Sequence, residues 1–322
     1  MNIVRTFEEL MHGGPALSET DAGQLLGALL DDGLPELEQG ALVALLEVTP
    51  LHLPALLGFH RALAERCFRV TPPQGAVSPV ILATHCAPHR TERNLLPLLA
   101  LLLRRLGLTV LVHGSLEGAG IAGSAHVFRD LGLMPCSTLS HVQQQLDRER
   151  LAFVPTPVLA PGLARLMARR ARLGTGRLAH LLHRLLDPYA GEALAVVATG
   201  DGPEKSMLAL LFQAVGGRAL LLAGTEGEPF ACPYRRPALE LVHEGGRELL
   251  FASEPGSPKT MPAAPDPLRT ADWTRRALRG EVPLPLPLVN QVACCLYGAG
   301  YASDINQAKA IAALETGSLV TA

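Results

Sequence analysis

The chain has 322 residues, 48% hydrophobic, 18% charged and 4% aromatic, with a formal net charge of −2. This apolar fraction excludes a disordered chain, 31 glycines without a fixed period exclude a collagen-like fibre, and 6 cysteines in this length exclude a small disulfide-stapled scaffold. The near-neutral balance excludes a protein that is basic all over, and the length suits two lobes or one large α/β domain carrying a smaller one.

The first residues, MNIVRTFEELMHGG, hold no basic run followed by an apolar stretch, so no signal peptide is expected. From 18 to 69 the pattern is helical. Ser18 and Asp21 form a capping pair before Leu25, Leu26, Leu29 and Leu30, a second helix is predicted over 35–47, and a third from near Thr49 with Pro50 in its first turn. The string TPPQGAVSP (71–79) breaks the pattern as a linker. An apolar run at 80–83, a polar loop, a leucine-rich helix over 94–106 and a second apolar run at 109–112 then compose a βαβ unit, which implies a parallel sheet with a crevice at the carboxyl ends of its strands. Another loop, HGSLEGAGIAGSA, and a helix around 127–131 repeat the unit. Further strands are expected at 152–154, 193–198, 219–222 and 249–252, helix over 162–186 and 289–314, and a Pro-rich surface loop at 254–267. The longest apolar run, 95–103, is about half the ~20 residues a membrane span needs. Cysteines without metal-ligand spacing fit reduced thiols in a cytoplasmic protein.

The fold class is therefore α/β. A small all-helical lobe of 1–70, joined by helices from about 160–188, accompanies a larger lobe of 75–158 and 190–322 with a central, mostly parallel sheet. Two loops follow predicted strands and open helices, where backbone N–H groups attract anions. The first carries His85, His89, Arg90, Arg93 and Asn94 around Cys86. The second runs from His113, Gly114 and Ser115 through a glycine-rich stretch to Ser124. Both are candidate phosphate or nucleic-acid contacts. A third basic group, Arg165, Arg169, Arg170, Arg172, Arg177 and Arg184, lies in a stretch, 151–186, without any Asp or Glu. It reads either as a solvated helix face or as a series of phosphate contacts.

The order of these parts resembles the anthranilate phosphoribosyltransferases, in the same structural class as the pyrimidine nucleoside phosphorylases. HGSLEGAGIAGSAHVFRDLG (113–132) is similar to that family's HGN…GSADVLEALG loop and helix, and RARLGTGRLAHLLHRLLDP (170–188) to its RKELGIRTIFNLLGPLLNP segment. ALSETDAGQLLGALLDDG near the start and VNQVACCL…ALETGSL near the end fit as well, so the likeness spans nearly the whole chain. The resemblance implies a phosphoribosyltransferase fold and a dimer formed through the helical lobe, and it aligns Arg170 with the arginine that contacts the acceptor's carboxylate.

The sequence departs from the family where its chemistry sits. The family's Gly-Thr-Gly-Gly-Asp turn around the diphosphate is here ATHCAPHR, without glycine; its Lys-His-Gly-Asn is Val112, His113, Gly114, Ser115. Its magnesium-holding Gly-Leu-Asp-Glu corresponds to Gly227, Glu228, Pro229, Phe230, leaving Glu226 and Glu228 as the nearby carboxylates for a metal. NLLPLLALLLRRLG…VLVHG and GTEGEPFACPYRRP resemble the family's YbiB-type branch, whose likeness implies nucleic-acid binding by a dimer without phosphoribosyl transfer. Trp273 is the only tryptophan, so modest base stacking and weak sequence preference are expected.

Three functional readings follow. The first is a catalytically degenerate protein that needs no cofactor and binds single-stranded DNA or RNA through the 165–184 segment and the 85–93 loop. In the second, an active transferase moves the phosphoribosyl group from phosphoribosyl pyrophosphate to anthranilate or a related aromatic acceptor: His113, Ser115 and Ser124 cradle phosphates, Arg170 holds the acceptor and Glu226 or Glu228 holds magnesium. The third is a scaffold that binds a protein partner through the acidic N-terminal lobe. Charge is segregated in a way that favours the first. Residues 1–60 hold 1 arginine against 9 acids, whereas 61–186 hold 16 arginines against 6 acids.

Overall fold

Ser18 opens the first helix as the capping pair predicts. Its hydroxyl accepts the Asp21 N–H at 3.1 Å and donates to the Asp21 carboxylate at 2.6 Å, starting α1 (Glu19–Leu30). α2 is Glu36–Val48 and α3 is Leu53–Ala64. The third helix thus starts four residues later than expected, with Pro54 rather than Pro50 in its first turn. Thr49 instead closes α2, its N–H bonded to Leu45 O at 3.0 Å. Its ψ of 128° is the extended conformation imposed on a residue that precedes a proline.

The computed structural model describes residues 16–74, 77–84, 91–116, 123–173, 176–256 and 266–317, with backbone alone at 170–173. Beyond α3 come β1 (Val80–Ala83), α4 (Leu96–Arg105), β2 (Val110–Gly114), α5 (Ser124–Asp130), α6 (Leu139–Glu149) and β3 (Leu151–Pro155). Helices α7 (Thr156–Leu159), α8 (Pro161–Leu173) and α9 (Arg177–Arg184) follow, then β4 (Leu194–Ala198), α10 (Pro203–Ala214), β5 (Arg218–Leu222), β6 (Gly224–Thr225) and β7 (Glu228–Ala231). β8 (Leu239–His243), β9 (Gly246–Phe251), α11 (Pro267–Leu278), α12 (Leu286–Gly298) and α13 (Ile305–Thr316) complete the chain. The contacts divide it into two units, Met1–Arg69 with Thr156–Ala190, and Val70–Pro155 with Gly191–Ala322.

The first unit is all helical. α1 and α3 cross where Gly58 meets α1: a Cβ on Gly58 would lie 2.1 Å from Glu19 O and 2.8 Å from Gly23 N, so no larger residue permits this approach. Arg61 bonds Glu19 at 2.6 Å, and Arg66 grips the Asp31 carboxylate with two N–H groups at 2.8 and 2.6 Å.

The second unit is built on a seven-stranded sheet of order β3-β2-β1-β4-β5-β8-β9. The first five strands are parallel; β8 and β9 extend the sheet antiparallel. Leu98, Leu99 and Leu102 of α4 and Leu288 and Val292 of α12 pack with Val80, Leu82, Val110, Val196 and Leu220 in one buried core. The chain runs from β1 outward to β3, then resumes on the other side at β4. This reversal makes the carboxyl ends of β1 and β4 the switch point where an open α/β sheet binds ligands. β6 and β7 form a separate hairpin whose two turn residues, Glu226 and Gly227, have φ of 51° and 84°, the positive pair of a tight hairpin turn. The helix expected over 289–314 is two, α12 and α13, parted at the positive-φ Gly300. Among the described residues no helix is long and apolar enough to cross a membrane.

Candidate functional site at the strand ends

Thr84 is the first residue beyond β1 and it is buried. Its hydroxyl lies 2.9 Å from Ser124 Oγ and 3.0 Å from Glu228 Oε1. Ser124, the first residue of α5, donates to Glu228 Oε1 at 3.1 Å, and the Asn94 amide reaches Ser124 Oγ at 2.9 Å and Glu228 Oε1 at 3.4 Å. Four polar side chains from four segments therefore converge at the carboxyl ends of β1 and β2, all of them buried. Asn94 Oδ1 also accepts the Leu96 N–H at 3.1 Å, satisfying the first N–H of α4 from just before its N-cap Leu95. β2 can close on this cluster because its last residue is Gly114: a Cβ there would lie 2.2 Å from Thr84 Cγ2.

His113, one residue earlier on β2, is completely buried, and that burial pushes its pKa down to about 3. The ring is neutral near pH 7 and brings no positive charge to a phosphate there. Ser115 lies exposed just past β2. His85, His89 and Arg90 lie outside the described residues. Arg93 points away from Asn94: its guanidinium donates to Arg269 O at 2.9 Å and stacks 5.5 Å from the Trp273 ring centroid.

The two candidate metal carboxylates hold the segment that carries Arg93 and Asn94. Glu226 Oε1 accepts from Thr91 N and Oγ1, both at 2.7 Å, and from Glu92 N at 3.2 Å. Glu228 engages Asn94, Thr84 and Ser124 as described. Next in the chain, the Pro229 carbonyl accepts from Gln291 Nε2 at 2.8 Å and Phe230 is fully buried in the core. Magnesium is commonly held by one or two carboxylates together with substrate phosphates and water. Among the described residues no three His, Cys, Asp or Glu side chains gather to hold a metal. Glu226 and Glu228 are the carboxylates at this place, and both accept hydrogen bonds from the protein.

In the helical unit, several arginines of the acid-free stretch take up acceptors from the same unit. Arg165 donates to Leu30 O at the end of α1 at 2.9 Å. Arg169 pairs with Asp32 at 2.7 Å and bonds Gln39. Arg177 donates to Thr49 O at 2.7 Å and Leu46 O at 3.2 Å, placing a cation on the last carbonyls of α2, while Glu47 accepts the Arg177 and Leu178 N–H groups at the start of α9. Arg184 is half-buried on α9, and the Arg170 and Arg172 side chains lie outside the described residues. Cys67 and Cys136 are free and buried, and desolvation pushes their thiols up to about 12 and 11, which keeps these two protonated and unreactive near pH 7.

Sequence reasoning missed Thr84 and the role of Glu228 as its acceptor. The available signal was a threonine directly after an all-apolar strand at a βα loop.

A parallel sheet reversed at β1, with a hydroxyl and amide cluster at its carboxyl edge and a helical unit formed from two chain segments, defines the phosphoribosyltransferase class of fold. No family model matches the sequence. Over 292 residues the chain is 35% identical to the YbiB protein of Escherichia coli (strain K12), covering 90% of this chain and 91% of that one. It is 27% identical over 337 residues to the anthranilate phosphoribosyltransferase of Synechococcus sp. (strain WH7803), covering 99% and 93%. The crystal structure of anthranilate phosphoribosyltransferase from Thermus thermophilus matches the fold with a TM-score of 0.78 at 22% identity, over 98% of this chain and 95% of that one. The enzyme from Saccharomyces cerevisiae in complex with phosphoribosyl pyrophosphate and magnesium matches with a TM-score of 0.76 at 16% identity, over 98% and 93%. The chain belongs to the anthranilate phosphoribosyltransferase family.

Proposed function

We propose that this chain keeps the family fold without magnesium-dependent phosphoribosyl transfer and binds single-stranded nucleic acid through the sugar-phosphate backbone. The observation that carries the first half is the fate of the acid pair: Phe230 is core, the Pro229 carbonyl is bonded to Gln291, and the remaining Glu226 and Glu228 carboxyls clasp residues 91–94. The concentration of 16 arginines against 6 acids over 61–186 supports the second half. This reading places the backbone contacts on the 165–184 segment and the 85–93 loop, where a phosphate would have to compete with the internal acceptors of Arg165, Arg169 and Arg177. The protein acts as a homodimer joined through the helical lobe.

Three phosphate contacts on a single strand give a salt slope of about −2, so affinity for an oligonucleotide should fall roughly 20-fold between 50 and 200 mM salt. Fluorescence anisotropy checks this, and absence of binding or indifference to salt overturns it. A second reading retains transfer of the phosphoribosyl group, favoured by the convergence of Thr84, Asn94 and Ser124 at the switch point and by the near full-length likeness to the Synechococcus enzyme. Calorimetry with phosphoribosyl pyrophosphate separates the two: tight binding that requires magnesium selects the transferase.

A further inference from the structure

The only tryptophan stands on a surface the strand-end cluster does not use. On α11, Arg269, Trp273 and Arg276 occupy positions i, i+4 and i+7, one face of the helix, with the two arginines about 10 Å apart along the axis. Thr270, Ala271, Thr274 and Ala277 form the buried face. Trp273 is half-buried and packs partly on the core. Arg93, itself buried, stacks on its ring and donates to the α11 backbone at Arg269 O, so both the ring and the helix are held in place. Trp273 and Val282 border two cavities. One of about 540 Å³ is also lined by Tyr234, Pro283, Pro285 and Asn290; the other, of about 610 Å³, by Arg93, Arg269 and Arg276.

Flat walls of tryptophan, tyrosine and proline suit a planar ring, and an amide at its edge suits base hydrogen bonding. Across the ridge lie exposed cations. The Arg269 and Arg276 side chains are 80% and 48% exposed, and their contacts to Asp266 at 4.0 Å and Glu281 at 3.5 Å are open ion pairs that a phosphate can replace. We propose that the Trp273 ridge is a nucleoside-phosphate subsite, in which a nucleobase stacks against Trp273 in the first cavity while its flanking phosphates bind Arg269 and Arg276. The subsite deepens the single-strand reading above and rests on it for the strand, although a free nucleotide presents the same chemistry.

Because Trp273 is the single tryptophan, its fluorescence in the full-length chain reports the subsite directly. Titration with oligothymidylate, the same strand without bases, thymidine monophosphate and polyglutamate is read both by tryptophan quenching and, for the strands, by anisotropy. The expected result is saturable quenching by oligothymidylate and, more weakly, by the mononucleotide, with the abasic strand binding at least fivefold more weakly. Trp273→Ala should weaken oligothymidylate by about five- to a hundredfold, the worth of one stacked base. The exposed double variant Arg269→Gln/Arg276→Gln, which leaves the buried face intact, should weaken both strands and flatten the salt dependence. A strand that binds by anisotropy without quenching, at equal affinity to both variants, overturns the subsite and leaves the nucleic-acid reading standing. Quenching by the mononucleotide without strand binding does the reverse. Equal quenching by polyglutamate identifies an acidic-peptide surface and overturns the subsite, and silence in every arm overturns both proposals.

Discussion

The two units use polar side chains in opposite ways. In the helical unit, arginines reach carbonyls and carboxylates at helix ends: Arg165 to Leu30 O, Arg169 to Asp32, Arg177 to Leu46 O and Thr49 O. In the sheet unit, hydroxyls and an amide converge on one carboxyl in a fully buried cluster, Thr84, Asn94 and Ser124 on Glu228. Partly exposed cation contacts are screened and individually weak, whereas a buried polar network is costly to disrupt in part. A strongly charged stretch in a sequence therefore marks a surface that can tie helices together as readily as one that binds a ligand. The quieter polar residues at strand ends mark the interior of the site.

That contrast can be broken in order of expected effect. Glu228→Ala leaves the Thr84, Ser124 and Asn94 donors without their shared acceptor inside the protein, and urea denaturation should show a loss of about 4 kcal/mol. Gly58→Ala forces a methyl into the Glu19 carbonyl and should cost about 3 kcal/mol in the same measurement, through geometry rather than polarity. Arg177→Ala uncovers the last carbonyls of α2 and should cost about 2 kcal/mol; an unchanged midpoint would show that water replaces the guanidinium without loss.

His113 supplies a pH signature. Its folded pKa, near 3, lies below the ordinary 6.5, so the unfolded chain binds the extra proton. Its contribution to stability is full above about 6.5 and declines by up to about 1.4 kcal/mol per pH unit as pH falls toward 3. His60, in the helical unit, is shifted in the same direction by burial. Denaturation at pH 7 and pH 5 should therefore show a slope that His113→Gln reduces and a remainder that persists. The smallest change is Arg169→Ala, whose pairing with Asp32 is 30% and 44% exposed and should contribute about 0.5 kcal/mol, lost in high salt.

Much of the fold is legible because local physics writes it locally. The Ser18–Asp21 cap, the leucine run of α4 and the apolar runs that become β1, β2 and β4 are visible without any partner. α6, α10 and α11 escaped this reading, as did β8. α6 buries only Val142 and Leu146, the buried face of α11 is two threonines and two alanines, and β8 needs its antiparallel neighbours to be recognised. The candidate site was half legible. Asn94 and Ser124 do meet at the strand ends, where Gly114 lets β2 approach Thr84, but nothing in a linear sequence tells that Glu228, more than a hundred residues later, accepts from both side chains.

The sequence by itself determined the parallel α/β architecture and the segregation of charge, because these depend on residue type and short-range periodicity. Only the tertiary structure decided which charges are taken. The acceptors of Arg169 and Arg177 lie about 130 residues away in α2 and its flanks, and Arg93 turns from the strand ends toward a tryptophan on α11. Hydrogen bonding and cation stacking act over a few ångströms of space, whatever the distance along the chain.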